Sequence, residues 1–255
     1  MKKSIALENI SMKFYRDGNE KCVLDGVSMT LTEDRFASLV GPNGSGKSTL
    51  MNIIARIMDY ENDDTGKIIY NGFQSEKKIG YVWQNYKDSL LPWLTVEENI
   101  AFPIYVSPRS SSDGKELARK LIGTFLPDIS PKAMIYQLSG GQQQMVCLLR
   151  ALVLEPDIML LDEPFAALDQ QRSWTTALHF EKEWSKRQIP VLFVSHDVDA
   201  AVLLSDDIGL LSKKNRKITK CINNTLEHPR TLDMLTAKEH ILCRKEIIEF
   251  LHSES

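Results

Sequence analysis

The sequence predicts an α/β fold: a phosphate-binding core with an antiparallel β subdomain and a helical subdomain attached to it. Three observations carry this. "RFASLV", Arg35–Val40, reads as a buried strand and runs into the glycine-rich "GPNGSGKST" just before an amphipathic helix. "DIMLLDE", Asp157–Glu163, is a second continuously apolar run that ends in two acids, as a central parallel strand with a ligand at its carboxyl end would. Between the two, from about Asp88 to Leu154, the text is mostly helical.

Composition sets the frame for the elements. The chain has 255 residues, enough for a large core, with 43% hydrophobic and 25% charged residues, which is ordinary for a soluble globular protein. A net charge of −3 gives no global basic field, so nucleic acid is not an expected partner. "MKKSIALENISMKF" has two lysines without an apolar core behind them and is not read as a signal peptide. No run approaches the ~18 apolar residues of a membrane span. Cys22, Cys147, Cys221 and Cys243 are scattered, without a C-x-x-C pair, and read as reduced thiols of a cytosolic chain.

In chain order, "IALENI" and "VLDGVSMTL" alternate like antiparallel strands beside the core. The strand "RFASLV" then delivers the pattern Gly41-x-x-x-x-Gly46-Lys47-Ser48, the phosphate-binding loop or Walker A motif. Its glycines let successive backbone N–H groups converge on anionic oxygens. Lys47 would reach the β- and γ-phosphates and Ser48 would offer its hydroxyl to Mg²⁺. Leu50, Ile53, Ile54, Ile57 and Met58 follow at helical spacing, which predicts a helix whose N-terminus faces the phosphates.

Within the helical stretch, "SPRSSSDG" is expected to be a polar loop. In "QLSGGQQQMVCLLRAL", Met145, Leu148, Leu149 and Leu152 share one face, and Ser139 is placed to cap the helix they form. Gly140 and Gly141 bare its first-turn N–H groups, making a second phosphate-binding helix start. One γ-phosphate has no room for two such ends, so this one is expected to serve a nucleotide bound to another copy of the chain. In "DIMLLDEPFAALD", Asp162 fits the acid that holds Mg²⁺ and Glu163 is placed to take a proton from an attacking water. "SKKNRK" reads as a solvated turn between strands and "LTAKEHILCRKEIIEFL" as one amphipathic helix.

These motifs, in this order, resemble the ATP-binding subunit of an ABC transporter. The resemblance rests on Gly41–Thr49, Gln84 in "GYVWQNY", "LSGGQ" at Leu138–Gln142, Asp162-Glu163, "AALD" at Ala166–Asp169 and His196 in "LFVSHD". It implies the ABC ATPase fold, a P-loop NTPase core with both subdomains, over a single domain at 1–255. The core with the β subdomain falls at 1–87 and 155–220, the helical subdomain with the signature at 88–154, and a short helical tail at 221–255.

The resemblance also implies roles. Gly41, Pro42, Asn43, Gly44, Ser45, Gly46, Lys47, Ser48 and Thr49 would bind the phosphates of ATP, with Lys47 also counted among the catalytic groups beside Glu163 and His196. Ser48, Gln84 and Asp162 would hold Mg²⁺, and Gln84 would sense the transmembrane partner. His196, after the apolar run Val191–Val194, would touch the γ-phosphate and orient water. Ser139, Gly140, Gly141 and Gln142 would close over the ATP of a second copy, with Asp169 acting across that dimer. Phe14 matches the aromatic that stacks on adenine, Tyr15 being the alternative, and either could instead be core.

"LLPWLTVEENIAFPI", "VSHDVDAAVLLSDDI" and the "LEHPR" and "RKEIIEFL" stretches resemble importers of the nitrate, sulfonate, taurine and bicarbonate group. An exporter subunit and a soluble non-transport ABC ATPase are the alternatives. The importer reading implies a separate integral-membrane permease, an extracytoplasmic substrate-binding protein, and a peripheral position on the cytoplasmic face of the membrane. Trp93 would either pack on the permease or belong to the core of the helical lobe.

Overall fold

Both marked apolar runs lie in one sheet. In the computed structural model, which describes residues 2–16, 18–60, 66–73, 77–107 and 113–254, they are β3 (Phe36–Val40) and β6 (Ile158–Asp162). They stand in a six-stranded sheet with β5 (Ile79–Val82), β7 (Val191–Val194), β8 (Asp207–Leu211) and β9 (Ile218–Asn223), in the order β5-β6-β7-β3-β8-β9. All neighbours are parallel except β9, which pairs antiparallel with β8. The carboxyl ends of β3, β5, β6 and β7 therefore share one edge, and the motifs that follow those strands are delivered there.

The continuous apolar runs have a simple cause. Leu160 and Leu192 face α1 (Lys47–Ile54) and the antiparallel strands, whereas Met159, Leu161 and Phe193 face the helices of the opposite layer. With both faces covered, alternation disappears. On α1, Leu50, Met51, Ile53 and Ile54 are fully buried, each worth about 1.5–3 kcal/mol.

The second sheet is antiparallel, in the order β2-β1-β4, from β1 (Ser4–Arg16), β2 (Asn19–Thr32) and β4 (Lys67–Asn71). The remaining helices are α2 (Tyr86–Ser89), α3 (Val96–Val106), α4 (Gly114–Phe125), α5 (Gly140–Leu152), α6 (Gln170–Arg187), α7 (Val198–Leu204) and α8 (Lys238–Ser253). Among the described residues, no helix is long and apolar enough to cross a membrane.

Some expectations shift. The helix after the phosphate loop stops at Ile54, not beyond Met58: Arg56 takes φ 59° and Ile57 is 58% exposed. Helical spacing there continued past the point where the backbone leaves the helix. The tail helix starts at Lys238 and is preceded by a short 3₁₀ turn, Leu232–Thr236. The "SPRSSSDG" loop falls largely outside the described residues. "SKKNRK" does join β8 to β9.

Candidate functional site

The phosphate loop owes its path to glycine at Gly46, which has φ 104° and where a Cβ would lie 2.7 Å from Leu24 Cδ2. Gly46 is also the N-cap of α1 and supplies no side-chain cap, so the first-turn N–H groups of this helix are open to an anion. Lys47, buried, donates from Nζ to the carbonyls of Gly41 at 2.7 Å and Pro42 at 3.2 Å. Burial pulls the Lys47 ammonium below its ordinary range, opposed by the nearby Glu163 and Asp162 charges.

Strand β6 ends in the two acids. Ser48 donates its hydroxyl to Asp162 Oδ2 at 2.7 Å, and burial raises the Asp162 carboxyl while that hydrogen bond opposes the rise. Glu163 takes φ 53°, a left-handed conformation rare for a side chain of its size. Burial pushes its carboxyl up to about 7, with the His196 N–H opposing and the Asp162 charge adding to the rise. The His196 N–H donates to Glu163 Oε2 at 3.2 Å, and the His196 ring nitrogen Nε2 stands 3.3 Å from Oε1. Oε1 is buried and makes no hydrogen bond. Burial lowers the His196 imidazole, helped by Lys47.

These groups meet. Lys47, Ser48, Thr49, Gln84, Asp162, Glu163 and His196, with Asn43, Gly44 and Gly46, line a cleft of about 190 Å³ at the sheet edge. A phosphate chain suits it: an uncapped helix start, a buried ammonium held by loop carbonyls, and glycine backbone. A hard cation suits the oxygen donors of Ser48, Asp162 and Gln84. Among the described residues, no group of three or more His, Cys, Asp or Glu is arranged to hold a metal.

Ser139, Gly140, Gly141, Gln142 and Asp169 are elsewhere. They line a separate cavity of about 790 Å³, with Ala167 and Leu168. Ser139 caps α5 as expected: its hydroxyl accepts from Gln142 N–H at 3.4 Å, and Gln142 Oε1 accepts from Ser139 N–H at 2.8 Å. At Gly141 a Cβ would lie 2.4 Å from Leu168 Cδ2 and 3.3 Å from the Ala167 carbonyl, so a larger residue there would have to displace the Leu168 side chain on the loop before Asp169. Asp169 caps α6, accepting from Arg172 N–H at 3.0 Å.

Phe14 lies in the β1–β2 hairpin and is 37% exposed, while Tyr15 is 72% exposed and donates to Glu20 at 3.1 Å. Neither is core; Phe14 lines neither cavity. Trp93 is 69% exposed, which removes the lobe-core alternative for it.

Nothing in the sequence marks Trp174, whose Nε1 donates to Asp197 Oδ2 at 3.0 Å and so braces the segment that carries His196. Nor does it mark the groove of about 630 Å³ beside Gln84, whose lining includes Asn52, Tyr81, Trp83, Asp88 and Arg150. The arginine in the last turn of the signature helix is the one sequence feature that bears on the groove: Arg150, half-buried, donates to the Ser89 carbonyl and fixes α2 onto α5.

Comparison with known proteins gives a consistent picture. A family model described as ABC transporter matches residues 24–166. The chain is 36% identical over 257 residues to an uncharacterized ABC transporter ATP-binding protein, MJ0412, of Methanocaldococcus jannaschii, covering 100% of this chain and 93% of that protein. It is 33% identical over 253 residues to the aliphatic sulfonates import ATP-binding protein SsuB of Bacillus cereus, covering 96% and 95%. Among solved structures it resembles the dimeric post-hydrolysis state of the ATP-binding cassette MJ0796 bound to ADP and Pi, with a TM-score of 0.74, 26% identity, and 86% of this chain and 98% of that one covered.

Proposed function

The chain belongs to the ABC transporter family, and from that premise we propose that it powers solute import, two copies enclosing ATP head to tail beneath a separate permease. It is an ABC-type ATPase. The observation that carries the reading is the convergence of Lys47, Ser48, Asp162, Glu163 and His196 on one cleft, with Ser139–Gln142 facing a different cavity.

In this reading Lys47 leaves the Gly41 and Pro42 carbonyls for the β- and γ-phosphate oxygens, and the first turn of α1 holds the rest of the chain of phosphates. Ser48, Asp162 and Gln84 would hold Mg²⁺, which would supply positive charge against the phosphates. Glu163 accepts the proton of the attacking water at Oε1, the free buried oxygen. The new bond joins that water oxygen to the γ-phosphorus; the bond that breaks frees ADP. His196 Nε2, beside Glu163 Oε1, orients the water and meets the γ-phosphate.

Import is supported by the likeness to SsuB, and dimer formation by the likeness to the dimeric MJ0796. The groove beside Gln84 is the surface for the permease, at the cytoplasmic face of the membrane, and Trp93 adds to it. A substrate-binding protein outside the membrane would deliver the solute. Phe14 takes the adenine, on its exposure at the hairpin and its place in the motif order; Tyr15 is the alternative.

Lys47→Ala tests the chemistry. ATP turnover should vanish, because the triphosphate loses its fixed buried cation. Tight ATP binding with near-normal turnover would refute the loop assignment.

A further inference from the structure

The backbone of Glu163 is held by one side chain. Gln144, on the second turn of α5, is buried, and its amide spans the loop that follows β6. Its Nε2 donates to the Glu163 carbonyl at 2.7 Å, and its Oε1 accepts from the Ala167 N–H at 2.8 Å. The two contacts fix the amide's orientation, since a reversed amide would set donor against donor and oxygen against oxygen. At neutral pH no other side chain of this length and shape offers one donor and one acceptor together.

The clamped loop is short and begins at the strained residue. Glu163 has φ 53°, its N–H donates to the Val194 carbonyl of β7 at 3.0 Å, and its own carbonyl also accepts from Ala166 N–H at 3.2 Å. The carboxylate is less constrained: Oε2 accepts the His196 N–H and Oε1 makes no hydrogen bond. The aim of the carboxylate therefore depends on how the backbone of Glu163 is turned. A left-handed conformation of a non-glycine residue persists only where its surroundings hold it.

We infer that Gln144 is a positioning residue for hydrolysis: it holds the Glu163–Ala167 loop so that the carboxylate points at the attacking water, and it ties that aim to the signature helix. The inference rests on Glu163 as general base. Because the N-terminal turn of the same helix is the part offered to the second copy's nucleotide, a shift of α5 acts on Glu163 through this amide.

The test is a double-mutant cycle on the full chain with Mg-ATP. Gln144→Met keeps length and bulk but removes donor and acceptor. It should lower kcat by about 10- to 100-fold, the range expected for a misplaced catalytic group, and leave KM for ATP within about twofold, since no phosphate contact is touched. In a Glu163→Gln background the same change should lower the residual rate by no more than about twofold, because there is no base left to aim. Where Gln144→Met does not fold, the isosteric Gln144→Glu, which loses the donor, carries the same comparison. A full additional loss in the Glu163→Gln background overturns the positioning role while leaving the base assignment standing. Equal falls in kcat and in ATP affinity also overturn it. A Glu163→Gln protein that turns over at the wild-type rate overturns the base assignment, and this inference with it.

Discussion

Glu163 shows how much chemistry one residue draws from its setting. A carboxyl of ordinary acidity is a weak base; burial at the sheet edge pushes this one up to about 7, where it can accept a proton and still be ionised near neutral pH. Under the proposed role as general base the working form is the deprotonated one, so kcat/KM for ATP, which reports groups of the free enzyme, should rise with pH through about 7 and level off above it. Steady-state rates from pH 5.5 to 8.5, about three units across that value, check this; a profile flat through 7 would show that another group governs the rate. Residues such as Lys47, Ser48, Asp162 and Glu163 were readable because their chemistry sits in consecutive letters at the end of an apolar run. Trp174 and Gln144 were not, because each acts through a partner about twenty positions away.

At the scale of elements, caps were legible only in part. Ser139 caps α5 as its place before the apolar face implied; the return bond from Gln142, and the like pair of Thr95 and Glu98 at α3, were first seen in the structure. Length was less legible: apolar spacing ran on past Ile54 although the helix did not. The closure of α7 could not be foreseen at all, since it comes from a remote segment. Arg230, fully buried, donates to the carbonyls of Val202, Leu203 and Ser205 at the end of that helix, and to Asp206 Oδ1 at 2.6 Å. His228 completes the cluster, with Nδ1 at 2.5 Å from Glu181 and Nε2 at 2.9 Å from Asp206.

These acids, through their hydrogen bonds, raise the His228 imidazole to about 9 from an ordinary 6.5, against the cost of burial. A histidine raised on folding contributes stability that is fully present below pH 6.5 and lost as pH climbs through about 9. Urea unfolding at pH 6, 7.5 and 9.5 should show stability declining over that window, and His228→Gln should remove most of the decline. The same slope in both proteins would mean that the cluster does not couple folding to this proton.

The whole molecule holds apart the two glycine-bearing helix starts that the proposed function assigns to phosphate. The start of α1 faces the cleft of Lys47 and Glu163, while the start of α5 faces the cavity shared with Asp169. The order of motifs foretold that two such ends exist; which edge each occupies came from sheet topology, set by parallel pairing of β3 and β6 with β7 between them. Under the proposed arrangement, each nucleotide is completed by a second chain, so ATP holds the pair together and hydrolysis releases it.

Glu163→Gln isolates that claim, since it keeps shape and hydrogen bonding but cannot take the proton, and turnover should fall by roughly 10²-fold or more. ATP binding persists, because Lys47, Ser48 and Asp162 are untouched. The decisive measurement is the mass of the Glu163→Gln protein by sizing chromatography with light scattering, with and without ATP. The account predicts a monomer without ATP, a dimer with it, and loss of that dimer when Ser139→Arg places a bulky cation at the start of α5. A Glu163→Gln protein that binds ATP and yet stays monomeric at high concentration would contradict it.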